Sequence, residues 1–339
     1  MNRPEFLLRQ FEFYELMDSP HPIYILDSSN EENAEKLKEG IKRFKKLRIV
    51  YKWAPPGKDS TFLLSSLIEE KYCIQMGDDD LIIPKTISDC ADFLENNPDY
   101  ATCAGKQVNI RLRREDHNKP YGKIERAALP HGRSFEEEDM SARAKNFWSG
   151  TNYICFSVRR TELERAIRNV TRHFYLNECI MEFLLWSILI ISGKSKVLDK
   201  LGYIMQISEI RTSFTYGLVL DFLLSPAAKE KWDIGENGLS EILQGRGMSK
   251  EEGHKMAKGI FIFYLARQFT FDADSLYVDS QKHVPVKKDL SKKIRYFASG
   301  YLFFKKVYYK FKTPQDVTRP ESKYFNDFKV VKDFLEKDR

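Results

Sequence analysis

No stretch of this 339-residue chain stays apolar for the roughly 20 residues that a membrane-spanning helix needs. The best run, Ile180 to Ile191, is too short and carries Glu182. The opening residues do not read as a signal peptide. Cysteine is sparse and scattered: Cys73, Cys90, Cys103, Cys155 and Cys179 form no CxxC pair and no zinc spacing. That argues against a structural zinc or a disulfide framework and fits a reducing, cytoplasmic setting. No nucleic-acid-binding motif is present, so no nucleic-acid partner is expected. A Gly-rich, basic loop after the first strand is also missing, which weighs against a nucleotidyltransferase. Net charge is only +6, and much of the excess sits in the C-terminal tail.

What is present suffices for a large core. Apolar residues make up 42% and aromatic residues 13% of the chain, enough for one large α/β domain with an extension. Asn2-Arg3-Pro4-Glu5 opens a helical pattern in which Phe6, Leu7, Gln10, Phe13, Tyr14 and Met17 recur. Pro20 and Pro22 stop it. Ile23 to Leu26 reads as a strand ending in Asp27. Ser29 and Glu32 have capping-box spacing for a helix carrying Ala34, Leu37, Ile41 and Phe44 on one face. Strand Arg48–Trp53, helix Ser60–Glu69, strand Tyr72–Met76, helix Pro84–Asn96 and strand Tyr100–Arg111 follow. This β-α-β-α-β-α-β order predicts a doubly wound, mostly parallel sheet.

Residues 111 to 140 read as a long polar loop, of the kind that tends to be functional or mobile. Tyr153 to Phe156 reads as a strand, Thr161 and Glu164 repeat the capping-box spacing, and Glu178 to Ile191 is the most apolar helix. Beyond Phe214 the pattern is helical, with Ser249 and Glu252 marking one start. Lys287 to Thr313 holds nine Lys or Arg residues and one Asp, with Ile294, Phe297, Tyr301, Phe304, Tyr308 and Phe311 along one helix face.

The chemistry concentrates at Lys71 to Pro84, KYCIQMGDDDLIIP. Three adjacent carboxylates, Asp78, Asp79 and Asp80, close a short apolar strand. They repel one another and need solvent, a cation or positive neighbours to stay charged. The plain reading is an acidic turn. The sharper reading is a metal and phosphate site at the carboxyl edge of an α/β sheet, where such folds bind ligands.

Taken in order, five segments resemble the family 2-like glycosyltransferases, enzymes of the GT-A fold. NRPEFLLRQ is similar to the segment after that fold's first strand. IYILDSSNEEN resembles its second strand, YCIQMGDDDLIIP the strand with the DxD motif, FWSGTNYICFSVRR the strand entering the acceptor side, and NECIMEFLLWSILIISGK the helix that opens with the catalytic base. The resemblance covers residues 1–212 and implies a GT-A-like catalytic domain there, with residues 213–339 as a helical extension. Three features depart from the pattern. Family members usually carry four or five apolar residues before the NRP turn, so the sheet is expected to lack a first strand. The often doubled base-contacting aspartate is followed here by Ser28. A QxxRW motif is absent, the nearest text being Gln206 to Arg211.

The resemblance implies transfer of a sugar from a nucleotide sugar to a hydroxyl acceptor, with inversion and with Mn²⁺ or Mg²⁺ held by carboxylates and donor phosphates. Asp80 would be the principal metal ligand. Asp78 would contact ribose or donor sugar and help the metal, and Asp79 lies between them with a structural role equally open. Asp27 would accept hydrogen bonds from the base; as an alternative it caps its own turn. Glu178 is the preferred general base and Glu182, one turn on, its rival. Lys58, after Pro55-Pro56-Gly57, and Arg211 would meet the donor phosphates, with Arg48 a weaker candidate. The acceptor class is a glycan or lipid-linked glycan. The basic tail then has two readings, packing on the catalytic domain or peripheral contact with an anionic membrane surface. A further alternative for the whole chain is a catalytically degenerate glycosyltransferase-like binding or scaffold protein.

Overall fold

The computed structural model describes residues 2–55, 60–113, 119–128, 130–150, 154–174, 178–207, 219–282 and 317–337, and not the side chains of 60, 61, 178, 179 and 270–282. Helix α1 (Pro4–Leu16) starts with proline in its first turn, where no N–H is needed. It buries Phe6, Phe11, Phe13 and Tyr14. Strands β1 (Ile23–Asp27) and β2 (Ile49–Trp53) pair in parallel from Ile23↔Ile49 to Asp27↔Trp53. Helix α2 (Glu31–Ile41) is their crossover. Its N-cap is Asn30, whose side chain accepts the Asn33 N–H, so the Ser29–Glu32 spacing does not form the expected box. Ser29 Oγ instead accepts the Asn2 N–H. Helix α3 (Ser60–Leu67) follows.

The expected doubly wound, mostly parallel sheet is not what forms. β1 and β2 stand apart as a two-stranded sheet. The main sheet has six strands in the order β3-β7-β5-β8-β4, with β6 beside β5. These are β3 (Tyr72–Cys73), β4 (Leu81–Ile82), β5 (Tyr100–Arg113), β6 (Lys123–Ala127), β7 (Val158–Arg160) and β8 (Lys194–Gln206). Only β5 and β8 pair in parallel; β3–β7, β7–β5, β5–β6 and β8–β4 are antiparallel. The physical reason lies in the connections. The chain leaves β5 and returns directly as β6 within the segment read as loop, which forces an antiparallel partner. The apolar run Tyr72–Met76 contributes only two ladder residues, because the turn at Asp78–Asp80 breaks the strand. The run Tyr153–Phe156 yields its strand later, at Val158–Arg160.

The remaining helices are α4 (Pro84–Asn96), α5 (Met140–Trp148), α6 (Thr161–Thr171), α7 (Glu178–Ile191), α8 (Val219–Leu223), α9 (Ala228–Gln244), α10 (Lys250–Lys282) and α11 (Phe325–Leu335). The Ser249–Glu252 box caps α10 as expected: Glu252 accepts the Ser249 N–H and Ser249 Oγ accepts the Glu252 N–H. One core gathers α5, α7, α9 and α10 around Trp148, Phe183 and Tyr264. A second joins α1, α2, β5, β8 and α11. There Phe13 and Phe334 meet with ring centroids 5.2 Å apart, and Gly122 N–H bonds the Leu335 carbonyl. The chain past residue 317 therefore packs back onto the segment that carries the N-terminal helix. No helix among the described residues is long and apolar enough to cross a membrane. The basic segment 287–313 lies outside the described residues.

Candidate functional site

Helix α1 builds the site by gripping the backbone of the acidic turn. Gln10 Nε2 donates to the carbonyls of Gly77 at 2.6 Å and Asp80 at 2.8 Å. Arg9, 1% exposed, donates to the Asp79 carbonyl at 2.5 Å and to Gln206 Oε1 at 2.8 Å, and it also bonds the Pro120 carbonyl. Tyr14 OH receives the Ile82 N–H. Three side chains on one helical face thus satisfy three turn carbonyls and one N–H. A Cβ at Gly77 would lie 2.8 Å from Asp80 Oδ2, so a larger residue there would press on that carboxylate.

The three carboxylates have different surroundings. Asp80 is 5% exposed, and both of its oxygens are engaged. Oδ2 accepts the Tyr203 hydroxyl at 2.6 Å and Oδ1 the Gln206 backbone N–H at 2.8 Å. Burial, then the Asp79 charge, push Asp80 up to about 7 against those two hydrogen bonds. Burial likewise raises Asp79, opposed chiefly by Arg3. The Arg3 guanidinium forks onto Asp78, through Nε to Oδ2 at 3.1 Å and Nη2 to Oδ1, and reaches Asp79 Oδ2 through Nη1 at 3.3 Å. Tyr203 in turn stacks on Phe156, with centroids 4.4 Å apart.

Asp27, 6% exposed, ends β1 as expected. Its Oδ1 accepts the Ser29 N–H at 2.9 Å and its Oδ2 the Tyr51 hydroxyl at 2.9 Å. Burial and then this bond raise the Tyr51 phenol well above its ordinary value. The Asp27 turn meets the acidic turn through the N-terminus. Asn2 bonds Ser29 Oγ through its N–H and Asn30 N–H through its side chain, and the next residue is Arg3.

No protein-family model and no curated protein matches the chain. Among solved structures it is similar to the crystal structure of S. aureus TarS, with a TM-score of 0.41 and 11% identity over 79% of this chain and 53% of that one. It is similar too to the crystal structure of S. aureus TarS 1-349, with a TM-score of 0.38 and 11% identity over 81% and 89%. The chain spans about half the length of the first.

Of the residues singled out from sequence, Asp27, Asp78, Asp79 and Asp80 come together on this edge. Glu182 is exposed on α7 and its charge acts on Cys155, the neighbour of Phe156. The Glu178 side chain, Lys58 and Arg211 lie outside the described residues. Arg48 is paired with Glu69 and Glu70 at the surface. Arg3, Arg9, Gln10 and Tyr203 were not singled out as site residues. Arg3 stands in the NRP segment, but nothing local in the sequence announces a partner 75 residues away.

The Mn²⁺ or Mg²⁺ implied by the resemblance meets a donor set already in use. A divalent ion of this kind takes about six oxygen ligands. Here Tyr203 and Gln206 hold Asp80, and Arg3 holds Asp78 and Asp79. Among the described residues there is no group of three or more His, Cys, Asp or Glu able to hold a metal. The carboxylates so arranged do not fit the ion.

Proposed function

We propose that this chain is a glycosyltransferase, moving a sugar from a nucleotide diphosphate sugar to a hydroxyl of a glycan or lipid-linked acceptor. One observation carries the reading: the turn after β1, the Asn2-Arg3 segment and the Asp78–Asp80 turn, far apart in sequence, are tied into one edge by Asn2 and Arg3. The resemblance points the first of these to the base and the last to the ribose or donor sugar. Asp27 stands for the base contact and Asp78 for the ribose or donor sugar. The leaving diphosphate gains charge in the transition state and needs positive groups near it. Arg3 and Arg9 flank the turn. The acceptor hydroxyl must lose its proton to a base as it attacks. Glu178 and Glu182 on α7 are the two carboxylates for that work. Glu178 is the preferred one; its rival Glu182 acts through its charge on Cys155, in the layer of Phe156 and Tyr203 beside Asp80. Direct displacement with one base inverts the anomeric carbon.

The closure of Asp80 by Tyr203 and Gln206 favours a second reading, a degenerate domain that binds a nucleotide sugar without turning it over. One assay separates the two. Nucleotide release from a panel of nucleotide sugars is measured for the native chain, Asp80→Ala and Asp78→Ala, with Mn²⁺, with Mg²⁺ and with chelator. Slow release from one donor is the expected result, lowered about 10-fold or more in Asp78→Ala through the lost ribose or sugar contact and in Asp80→Ala through loss of the Tyr203 and Gln206 bonds that fix the turn. Binding without release supports the degenerate reading. Absence of both binding and release under every condition rejects the assignment.

A further inference from the structure

Arg3 bears on the cation that the proposed transfer reaction uses. Its guanidinium spends three of its five N–H donors on Asp78 and Asp79 and leaves two. Its side chain is 38% exposed, against 23% and 18% for the two aspartates, so the fork lies at the mouth of the turn. The Arg3 carbon Cζ sits 4.9 Å from the centre of the Phe6 ring, and that of Arg9 5.3 Å from the same ring. Phe6 therefore spaces two guanidiniums along the first turns of α1. One grips the carboxylates of Asp78 and Asp79, the other the carbonyl of Asp79. Together they carry the two positive charges that a divalent ion would bring.

Resting on the glycosyltransferase reading, we propose that Arg3 is the resident cation of this site. It neutralises Asp78 and Asp79 and meets the donor diphosphate directly, so the chain binds a nucleoside diphosphate without a divalent ion. Three pieces of chemistry support this. A guanidinium matches phosphate oxygens with paired, charge-assisted hydrogen bonds. An incoming divalent ion would have to displace the bidentate Arg3 fork from Asp78 while facing its like charge. Asp80, the carboxylate that the resemblance makes the principal ligand, has both oxygens taken by groups that hold β4 to β8. The arginine is carried by the segment that also fixes Asn2 against Ser29 and Asn30, so its backbone is positioned before any ligand arrives.

The test uses UDP and GDP as probes, titrated by calorimetry in EDTA and in Mn²⁺. Mn²⁺ alone is titrated in parallel and followed by the paramagnetic resonance of the free ion. The native chain is expected to bind one nucleotide in EDTA, with less than about a threefold change on adding Mn²⁺, and to leave the free-ion signal intact. Arg3→Ala is expected to bind that nucleotide about 10- to 100-fold more weakly in EDTA. Its freed carboxylates are expected to take up Mn²⁺ and thereby restore part of the nucleotide affinity. Arg3→Lys keeps the charge without the fork. It is expected to fall between the two in EDTA and to leave Mn²⁺ free. A purely structural role for Arg3 would lower the melting temperature without creating an ion requirement. Nucleotide binding by the native chain only in Mn²⁺, or capture of Mn²⁺ by the native chain alone, overturns the inference and leaves the glycosyltransferase reading standing. No nucleotide binding in either condition removes both, a pattern distinct from the first. If Arg3→Ala does not fold, the native chain and Arg3→Lys decide by the same criteria.

Discussion

Replacing Glu164 by glutamine is expected to cost about 3–5 kcal/mol of folding stability. Glu164 lies between two guanidiniums. Its Oε2 accepts Arg159 Nε and its Oε1 accepts Arg168 Nε, each at 2.6 Å, with side chains 0%, 7% and 4% exposed for Arg159, Glu164 and Arg168. Arg159 Nη1 also donates to the Cys155 and Ser157 carbonyls, while its Nη2 already lacks a hydrogen-bond partner. Glutamine removes the one negative charge that pairs both cations and leaves Arg159 buried and uncompensated. Burial by itself would raise the Glu164 carboxyl; Arg159 and then Arg168 outweigh it and bring the group down to about 2. The unfolded value is about 4.3. A depressed carboxyl stabilises the fold fully above the unfolded value and loses that contribution as pH falls through the folded one, here between about 4.3 and 2, a span worth about 3 kcal/mol. Urea midpoints measured from pH 7 to pH 2 should therefore drop steeply over that window for the native chain. Glu164→Gln should start lower and lack that component. A variant within 1 kcal/mol of native at pH 7 would contradict the assignment. The network also reaches the site. Arg168 Nη2 bonds Gln75, three residues before Asp78, so donor binding should weaken along with stability.

The same residues show what the sequence could and could not convey. Thr161 and Glu164 have capping-box spacing, yet Thr161 Oγ1 donates to the Glu70 carbonyl and Glu164 turns inward to its arginines. The spacing Glu164–Arg168 was readable as a helical pair; its burial was not, because that depends on β3 and β7 lying over it. Where structure is local, the letters sufficed. Proline and apolar periodicity marked α1 and α4, an apolar run marked α7 at Glu178–Ile191, and a tetrapeptide closed by aspartate marked β1. Strand direction is not local. β3 and β4 are two residues each, too short to carry a period, and β6 hides in polar sequence as KIERA. The site was legible on its acidic side, since adjacent aspartates after an apolar run are conspicuous. Its basic side was not, since Arg3 and Arg9 gain meaning only when α1 folds over the turn.

Gly202→Ala is expected to destabilise the chain by about 3 kcal/mol and to disturb the site through Tyr203. β5 and β8 pair with three register shifts, and two of them fall close together, between Ala104 and Lys106 and between Lys106 and Gln107. At these shifts the backbones of Gly105 and Gly202 come together. A Cβ on Gly202 would lie 2.7 Å from the Gly105 Cα, and one on Gly105 would lie 2.7 Å from the Gly202 Cα. Both obstacles are backbone at the centre of the sheet, so no side chain can swing aside. Relief requires the strands to part. Gly202 also gives its carbonyl to the Ile83 N–H at 2.9 Å, and the next residue is Tyr203, whose hydroxyl holds Asp80. Parting β8 from β5 therefore draws the Tyr203 hydroxyl from Asp80 and frees a carboxylate oxygen. Gly259→Ala is the contrasting case. That glycine lies in α10 with nothing within 4 Å of an added Cβ, so alanine should stabilise by about 0.5–1 kcal/mol through helix propensity alone. Thermal and urea unfolding of the two variants should move in opposite directions, and only Gly202→Ala should alter nucleotide binding. A Gly202→Ala chain as stable as native would mean that the β5–β8 contact yields, and the fixed position of Asp80 would then need another source.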